Sequence, residues 1–111
     1  MIGFSLEIEE KEKETTVNLK GEIDLYSCEQ LDKTLTKLVK ENKNKIILNM
    51  QDIQYIDSTG LGTIAKNAKE LETKQEKLYL YSCQPRVQKM FEISGLNKKN
   101  ITLISSENEI E

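Results

Sequence analysis

Apolar residues at Phe4, Leu6 and Ile8 alternate with polar ones, a period of two that predicts a strand with one buried face. Val17-Asn18-Leu19 repeats the pattern, and the polar stretch from Glu9 to Glu14 reads as the hairpin connection between the two. Its turn type is undefined, because neither Asn-Gly nor Asp-Gly is present. Beyond Gly21-Glu22-Ile23-Asp24 the period changes. Cys28, Leu31, Leu35, Leu38 and Val39 fall on one side of a helix, with Lys and Glu on the other. Ile46 to Met50 is nearly continuous in apolar character and predicts a central strand, covered on at least part of both faces and ending well short of Gly60. Leu61, Ile64, Ala65, Ala68 and Leu71 form the clearest helical stripe, which begins after Asp57-Ser58-Thr59. Lys77 to Tyr81 alternates again, Leu78 and Leu80 against Tyr79 and Tyr81, as a strand. Pro85 suits the first turn of a third helix with Val87, Met90 and Phe91 on its apolar side and Gly95 at its C-cap. Ile101 to Ile104 predicts a last strand, followed by an acidic tail from Glu107 to Glu111.

The predicted order is ββαβαβαβ. Helices with one apolar stripe, placed between strands, imply an α/β fold with a mixed sheet and helices packed mainly on one face. The alternation of the first two strands leaves their other face wet. No repeat, linker or low-complexity segment divides the chain, so one domain over residues 1–111 is expected.

Composition narrows the function. A chain of 111 residues buries roughly two-thirds of its unfolded surface on folding. The formal charge of −3, with both signs mixed along the chain, lacks the basic excess of a phosphate-backbone binder, so nucleic acid is not expected as a direct partner. No apolar run approaches the ~20 residues that span a bilayer. The N-terminus, Met1 to Glu7, lacks the basic-then-apolar pattern of a signal peptide. A soluble, cytoplasmic protein with no membrane role is the expectation. Histidine is absent, which removes Ser-His-Asp and Cys-His nucleophile pairs and His-containing metal clusters. Cys28 and Cys83 lie far apart and form no C-x-x-C pair, so they read as small apolar residues near the core. Neither a metal nor a cofactor is called for.

The segment Tyr55-Ile56-Asp57-Ser58-Thr59-Gly60-Leu61-Gly62-Thr63 stands between the most buried strand and the most periodic helix. Its hydroxyls and glycines fall where a helix exposes unpaired N–H groups and the positive end of its dipole. Asp57 or Ser58 can serve there as the N-cap, with the glycines permitting close packing. Gly60-Leu61-Gly62-Thr63-Ile64-Ala65 fits the loose G-x-G-x-x-A dinucleotide pattern, but the glycines follow too long after the strand, and the strand at Leu78 to Tyr81 carries no acid for a ribose. The lysine of a P-loop is missing after Gly62. A nucleophile elbow is excluded because Ile56 stands where it needs glycine. What remains is a serine on a surface turn beside acids, with no base to activate it: a substrate more than a catalyst. A phosphoryl group on Ser58 would move the formal charge from −3 to about −5, and a partner lying over the turn would meet new charge and bulk. An alternative on the same residues is a nucleotide- or anion-binding module using the helix N-terminus.

Gly21-Glu22-Ile23-Asp24, Asp57-Ser58-Thr59-Gly60-Leu61-Gly62 and Phe91-Glu92-Ile93-Ser94-Gly95-Leu96, in this order and at these separations, resemble the STAS-domain anti-sigma factor antagonists of bacteria over nearly the whole chain. The resemblance implies a non-enzymatic switch, a monomer when free. Its unphosphorylated form binds an anti-sigma factor that is itself a serine kinase and so releases a sigma factor. Phosphorylation switches it off, and a serine phosphatase restores it. By position, Ser58 matches the phosphorylated serine, and Thr59 is the weaker alternative acceptor. Asp24 matches an acid near that site, and Asp57 and Gly60 match the turn; together with Ser58 and Thr59 these are the expected partner-binding residues. Asp24 could also simply cap the first helix or its connecting turn, and Asp57 could simply cap its helix. Arg86, at the start of the third helix, could pair with a carboxylate or phosphate. Scaffolds of stress-signalling assemblies, tails of anion transporters and partners of lipid-transport ATPases also carry STAS domains, so a scaffold module is a further alternative.

Overall fold

The computed structural model describes residues 3–110; Met1 and Ile2 of the N-terminal stretch and Glu111 of the acidic tail lie outside the described residues. Its strands are β1 (Ser5–Glu10), β2 (Glu14–Ile23), β3 (Lys45–Ile56), β4 (Leu78–Tyr81) and β5 (Ile101–Ile104). The helices are α1 (Cys28–Glu41) after β2, α2 (Ser58–Glu72) after β3 and α3 (Pro85–Ser94) after β4. The strands form one sheet in the order β1-β2-β3-β4-β5. β1 and β2 are an antiparallel hairpin, and the pairs β2–β3, β3–β4 and β4–β5 are parallel. Parallel neighbours need a crossover, and each helix supplies one.

Strand alternation sorts the side chains between the two faces. Leu48, Met50, Leu78 and Leu80 join Leu31 and Leu35 of α1, Ile64 and Leu71 of α2, and Val87 and Phe91 of α3 in one buried cluster. All three helices therefore lie on the same face. The opposite face holds a small cluster of Ile47, Tyr79 and Ile104, with Tyr81 and Ile110 packed on it. Part of the acidic tail is thus ordered: Glu107–Glu109 forms a short 3-10 turn. The Glu109 carboxylate accepts from the backbone N–H groups of Ser105 (2.7 Å) and Ser106 (2.8 Å).

β3 is longer than the apolar pattern predicts. Its buried residues run Met50, Ile53, Ile56, a spacing of three that no regular strand gives. The pairing with β2 accounts for it: the register shifts between Asn18 and Lys20 and again between Gly21 and Glu22, with the additional residue on β3 each time. Each bulge changes the parity, so a residue three positions on returns to the same face. The interval between strand and glycine motif therefore does not exist, since β3 ends at Ile56 and α2 begins at Ser58. Of the arguments against a dinucleotide fingerprint, that one fails, and the missing acid at the end of β4 stands.

The β2–α1 and β3–α2 turns form the candidate site

The C-terminal ends of β2 and β3 are adjacent, with Ile23 paired to Ile56. The chain leaves β3 through Asp57, whose backbone N–H donates to the Ile23 carbonyl at 3.1 Å. Asp57 is extended (φ −103°, ψ −175°) and is the N-cap of α2. Its Oδ1 accepts from the Gly60 N–H at 3.0 Å and from the Thr59 hydroxyl at 2.5 Å. Partial burial pushes the Asp57 carboxyl up, but the hydrogen bonds from the Thr59 hydroxyl and from the backbone N–H groups of Gly60, Thr59 and Leu25 outweigh it and hold the group below the usual carboxylate range. The bond from the Asp57 N–H to the Ile23 carbonyl ties this turn to the end of β2.

Gly60 is buried against both strand ends. A Cβ there would stand 2.7 Å from Ile23 Cγ2, 2.8 Å from Ile56 Cγ1 and 2.9 Å from the Ile23 carbonyl oxygen. Its hydrogen lets α2 start directly on the sheet. Gly62, by contrast, faces open space. Gly21 carries a constraint of another kind: its φ of +104° and the carbonyl of Gly3, which a Cβ would overlap, admit only glycine.

Asp24 organises the other turn. Its Oδ1 accepts from the N–H groups of Tyr26 (2.9 Å) and Ser27 (3.0 Å). Ser27 reciprocates, its hydroxyl accepting from the Asp24 N–H at 2.9 Å and donating to the Glu22 carbonyl at 2.7 Å. Asp24 thus closes the connecting turn and does not cap α1, whose N-cap is Ser27. At the tip of this turn Leu25 and Tyr26 are 63% and 89% exposed, and Tyr55 near the end of β3 is 44% exposed. Sequence reasoning missed these apolar groups. The available signal was Leu25-Tyr26 standing between an aspartate and a helix start, outside any apolar stripe.

Ser58, the first residue of α2, is exposed. Among the described residues its hydroxyl has no hydrogen-bond partner. Thr59 is exposed too, but its hydroxyl proton is given to Asp57. The structure therefore brings Asp24, Asp57, Ser58, Thr59 and Gly60 to one end of the sheet. Arg86 is exposed in the first turn of α3, which is anchored to β3 by the Gln84 side chain donating to the Gln51 carbonyl at 3.0 Å.

The helices that carry the two turns are fastened by a polar contact that periodicity did not reveal. Buried Asn67 of α2 donates to Asp32 of α1 and to the Thr63 carbonyl, both at 3.0 Å, and Lys66 reaches the other Asp32 oxygen at 2.7 Å. Lys66 is the leading cause that holds the Asp32 carboxyl below its ordinary range.

One end of the sheet thus carries two acids engaged in turn and cap hydrogen bonds, an exposed serine and a rim of exposed apolar groups. The STAS domain family model matches residues 5–110, and the chain belongs to that family. The anti-sigma-B factor antagonist of Staphylococcus aureus is 29% identical over 110 residues, covering 99% of this chain and all of that protein. Among solved structures, the Bacillus cell fate determinant SpoIIAA in its phosphorylated form is 25% identical, with a TM-score of 0.71 and coverage of 96% of this chain and 95% of that one. An anti-sigma factor antagonist from Mycobacterium paratuberculosis shares the fold at a TM-score of 0.82 and 17% identity, over 96% of this chain and 90% of that one. Among the described residues no helix is long and apolar enough to cross a membrane.

Proposed function

We propose that this chain is an anti-sigma factor antagonist that acts in the cytoplasm without being an enzyme. Unphosphorylated, it binds an anti-sigma factor serine kinase through the turns at Asp24 and at Asp57 to Gly60, and a sigma factor is released. Transfer of a phosphoryl group from ATP to Ser58 ends the binding, and a serine phosphatase restores it. The names of its relatives support the antagonist role, and the phosphorylated form of SpoIIAA supports control by phosphorylation.

The observation that carries the reading is the position of Ser58. It is exposed at the rim of the site, and neither the cap of α2 nor the approach of α2 to the sheet uses its side chain. A charge of about −1.5 to −2 can be added there without dismantling the turn. A partner seated over Leu25, Tyr26 and Tyr55 would have to bury that dianion beside Asp57, a desolvation and repulsion cost large enough to break a complex. The anion-binding alternative is weakened by the same geometry, because the Asp57 carboxylate already occupies the start of α2.

The test is to incubate the purified chain with ATP and each serine kinase encoded beside it in its own genome, map the phosphosite by mass spectrometry and titrate kinase binding before and after. One phosphoryl group on Ser58 with loss of binding is expected. Modification confined to another residue, or equal binding by both forms, would refute the proposal.

A further inference from the structure

Ser58 and Thr59 present two neighbouring exposed hydroxyls to any kinase that docks on this turn, yet the structure treats them differently. The Thr59 hydroxyl lies 2.5 Å from Asp57 Oδ1 and donates its proton there, a length typical of a charge-assisted O–H···O⁻ bond. The same oxygen of Asp57 holds the Gly60 N–H at 3.0 Å, so the bond is part of the cap of α2. Ser58 stands between the two and is bound to neither.

We propose that the Asp57–Thr59 hydrogen bond is a specificity clasp, and that Thr59 is a positioning residue that makes Ser58 the sole phosphoryl acceptor. This rests on the switch function proposed above and adds the means by which the acceptor is chosen. In the transfer, the bond between the γ-phosphorus of ATP and its bridging oxygen breaks, a bond from the hydroxyl oxygen to phosphorus forms, ADP leaves, and the hydroxyl proton passes to a base of the kinase. Ser58 can offer its oxygen in line and release its proton outward. Thr59 cannot do so without first surrendering its bond to Asp57, and its oxygen approaches the triphosphate only alongside a carboxylate. The product is opposed as well. A phosphoryl group on Thr59 would set its charge within hydrogen-bonding distance of Asp57 and remove the donor that helps fix the cap.

The test uses full-length variants, ATP and the kinase that labels the wild-type chain, with phosphosites read by mass spectrometry. Because some kinases accept only serine, position 59 is examined as T59S. The double variant S58A/T59S is expected to be labelled at position 59 at least about tenfold more slowly than the wild type is at Ser58. Adding D57N, which removes the charge while asparagine remains a good N-cap, is expected to raise labelling at position 59 by about tenfold. D57N alone supplies the rate at Ser58 against which the triple variant is scaled, so that any change in kinase docking through Asp57 cancels from the ratio of labelling at position 59 to labelling at Ser58. Labelling of S58A/T59S at close to the wild-type rate would overturn the clasp. So would a ratio of labelling at position 59 to labelling at Ser58 that is no higher with asparagine at position 57 than with aspartate. Absence of label on the wild type with every kinase would instead refute the switch function itself.

Discussion

Gly60 and Gly62 lie two residues apart in one helix, and the structure assigns their alanine variants opposite signs. Gly62 faces open space, so Gly62→Ala gains helix propensity with no clash and should stabilise the fold by about 0.5–1 kcal/mol. Gly60→Ala gains less, because the position is in the first turn, and its methyl would stand 2.7–2.9 Å from Ile23 Cγ2, Ile56 Cγ1 and the Ile23 carbonyl. The isoleucine methyls can give way. The carbonyl cannot, since it accepts the N–H of Asp57 and belongs to the β2–β3 junction. Overpacking of this kind costs about 1–3 kcal/mol, so the two variants should differ by about 1.5–4 kcal/mol once the propensity gain at Gly62 is included. Urea denaturation with a shared m-value gives the difference from the midpoints. Equal stability of the two variants, or Gly60→Ala above wild type, would show that α2 does not rest on Ile23 and Ile56 as described. The Gly60 variant should also weaken kinase binding, because relief of the clash moves Ser58 away from the β2–α1 turn.

Asp57→Ala should cost about 0.5–2 kcal/mol at neutral pH through loss of the cap. The carboxyl of Asp57 is held below its ordinary value in the fold, so its contribution is complete above the unfolded-state pKa of 3.8 and is lost as pH falls through the lower folded value. The gap between wild-type and variant unfolding curves should therefore close in acid, and a gap that widened would contradict the assignment. The Cys83 thiol is pushed up to about 12 by burial, so at pH 8 about one in ten thousand is thiolate. A disulfide exchange reagent should label Cys28 in the native protein and Cys83 only on unfolding, which peptide mapping can read. Ser58→Ala should bind the kinase and stay unmodified, and Ser58→Glu should bind more weakly. Calorimetric titration giving equal affinities for the two would remove the electrostatic basis of the switch.

The helices, the hairpin and the single helical face were legible because each depends on a short-range period. Leu31, Leu35, Leu38 and Val39, for example, are buried as their spacing requires. The second half of β3 was not legible. Two bulges against β2 turn its period of two into a period of three, and Gln51, Asp52, Gln54 and Tyr55 then read as a polar connection when they are the exposed side of a strand. Asn67 was hidden for a related reason, since a lone amide within a helical stripe acquires meaning only when Asp32 of another helix is opposite. Within the site, the residues at the start of α2 were legible and their bonding was not. Sequence spacing allows Asp57 to cap, and allows either hydroxyl to be free. Which hydroxyl is engaged is decided by side-chain geometry over a few ångströms.

The bulges also explain why the two turns act as one surface. Without them β3 would end out of step with β2, and Ile56 would not lie beside Ile23 with both side chains in the core. Their alignment brings the Asp57 N–H onto the Ile23 carbonyl and leaves beneath α2 a gap that only Gly60 fits. The two segments, separated in sequence by α1 and β3, are thus joined by the pairing of Ile23 with Ile56 and by the Asp57 N–H bond to the Ile23 carbonyl. Ser58 takes no part in them. The switch proposed above requires that separation: the groups that shape the surface are fixed by the fold, and Ser58, the group proposed to be modified, contributes no side-chain bond to it.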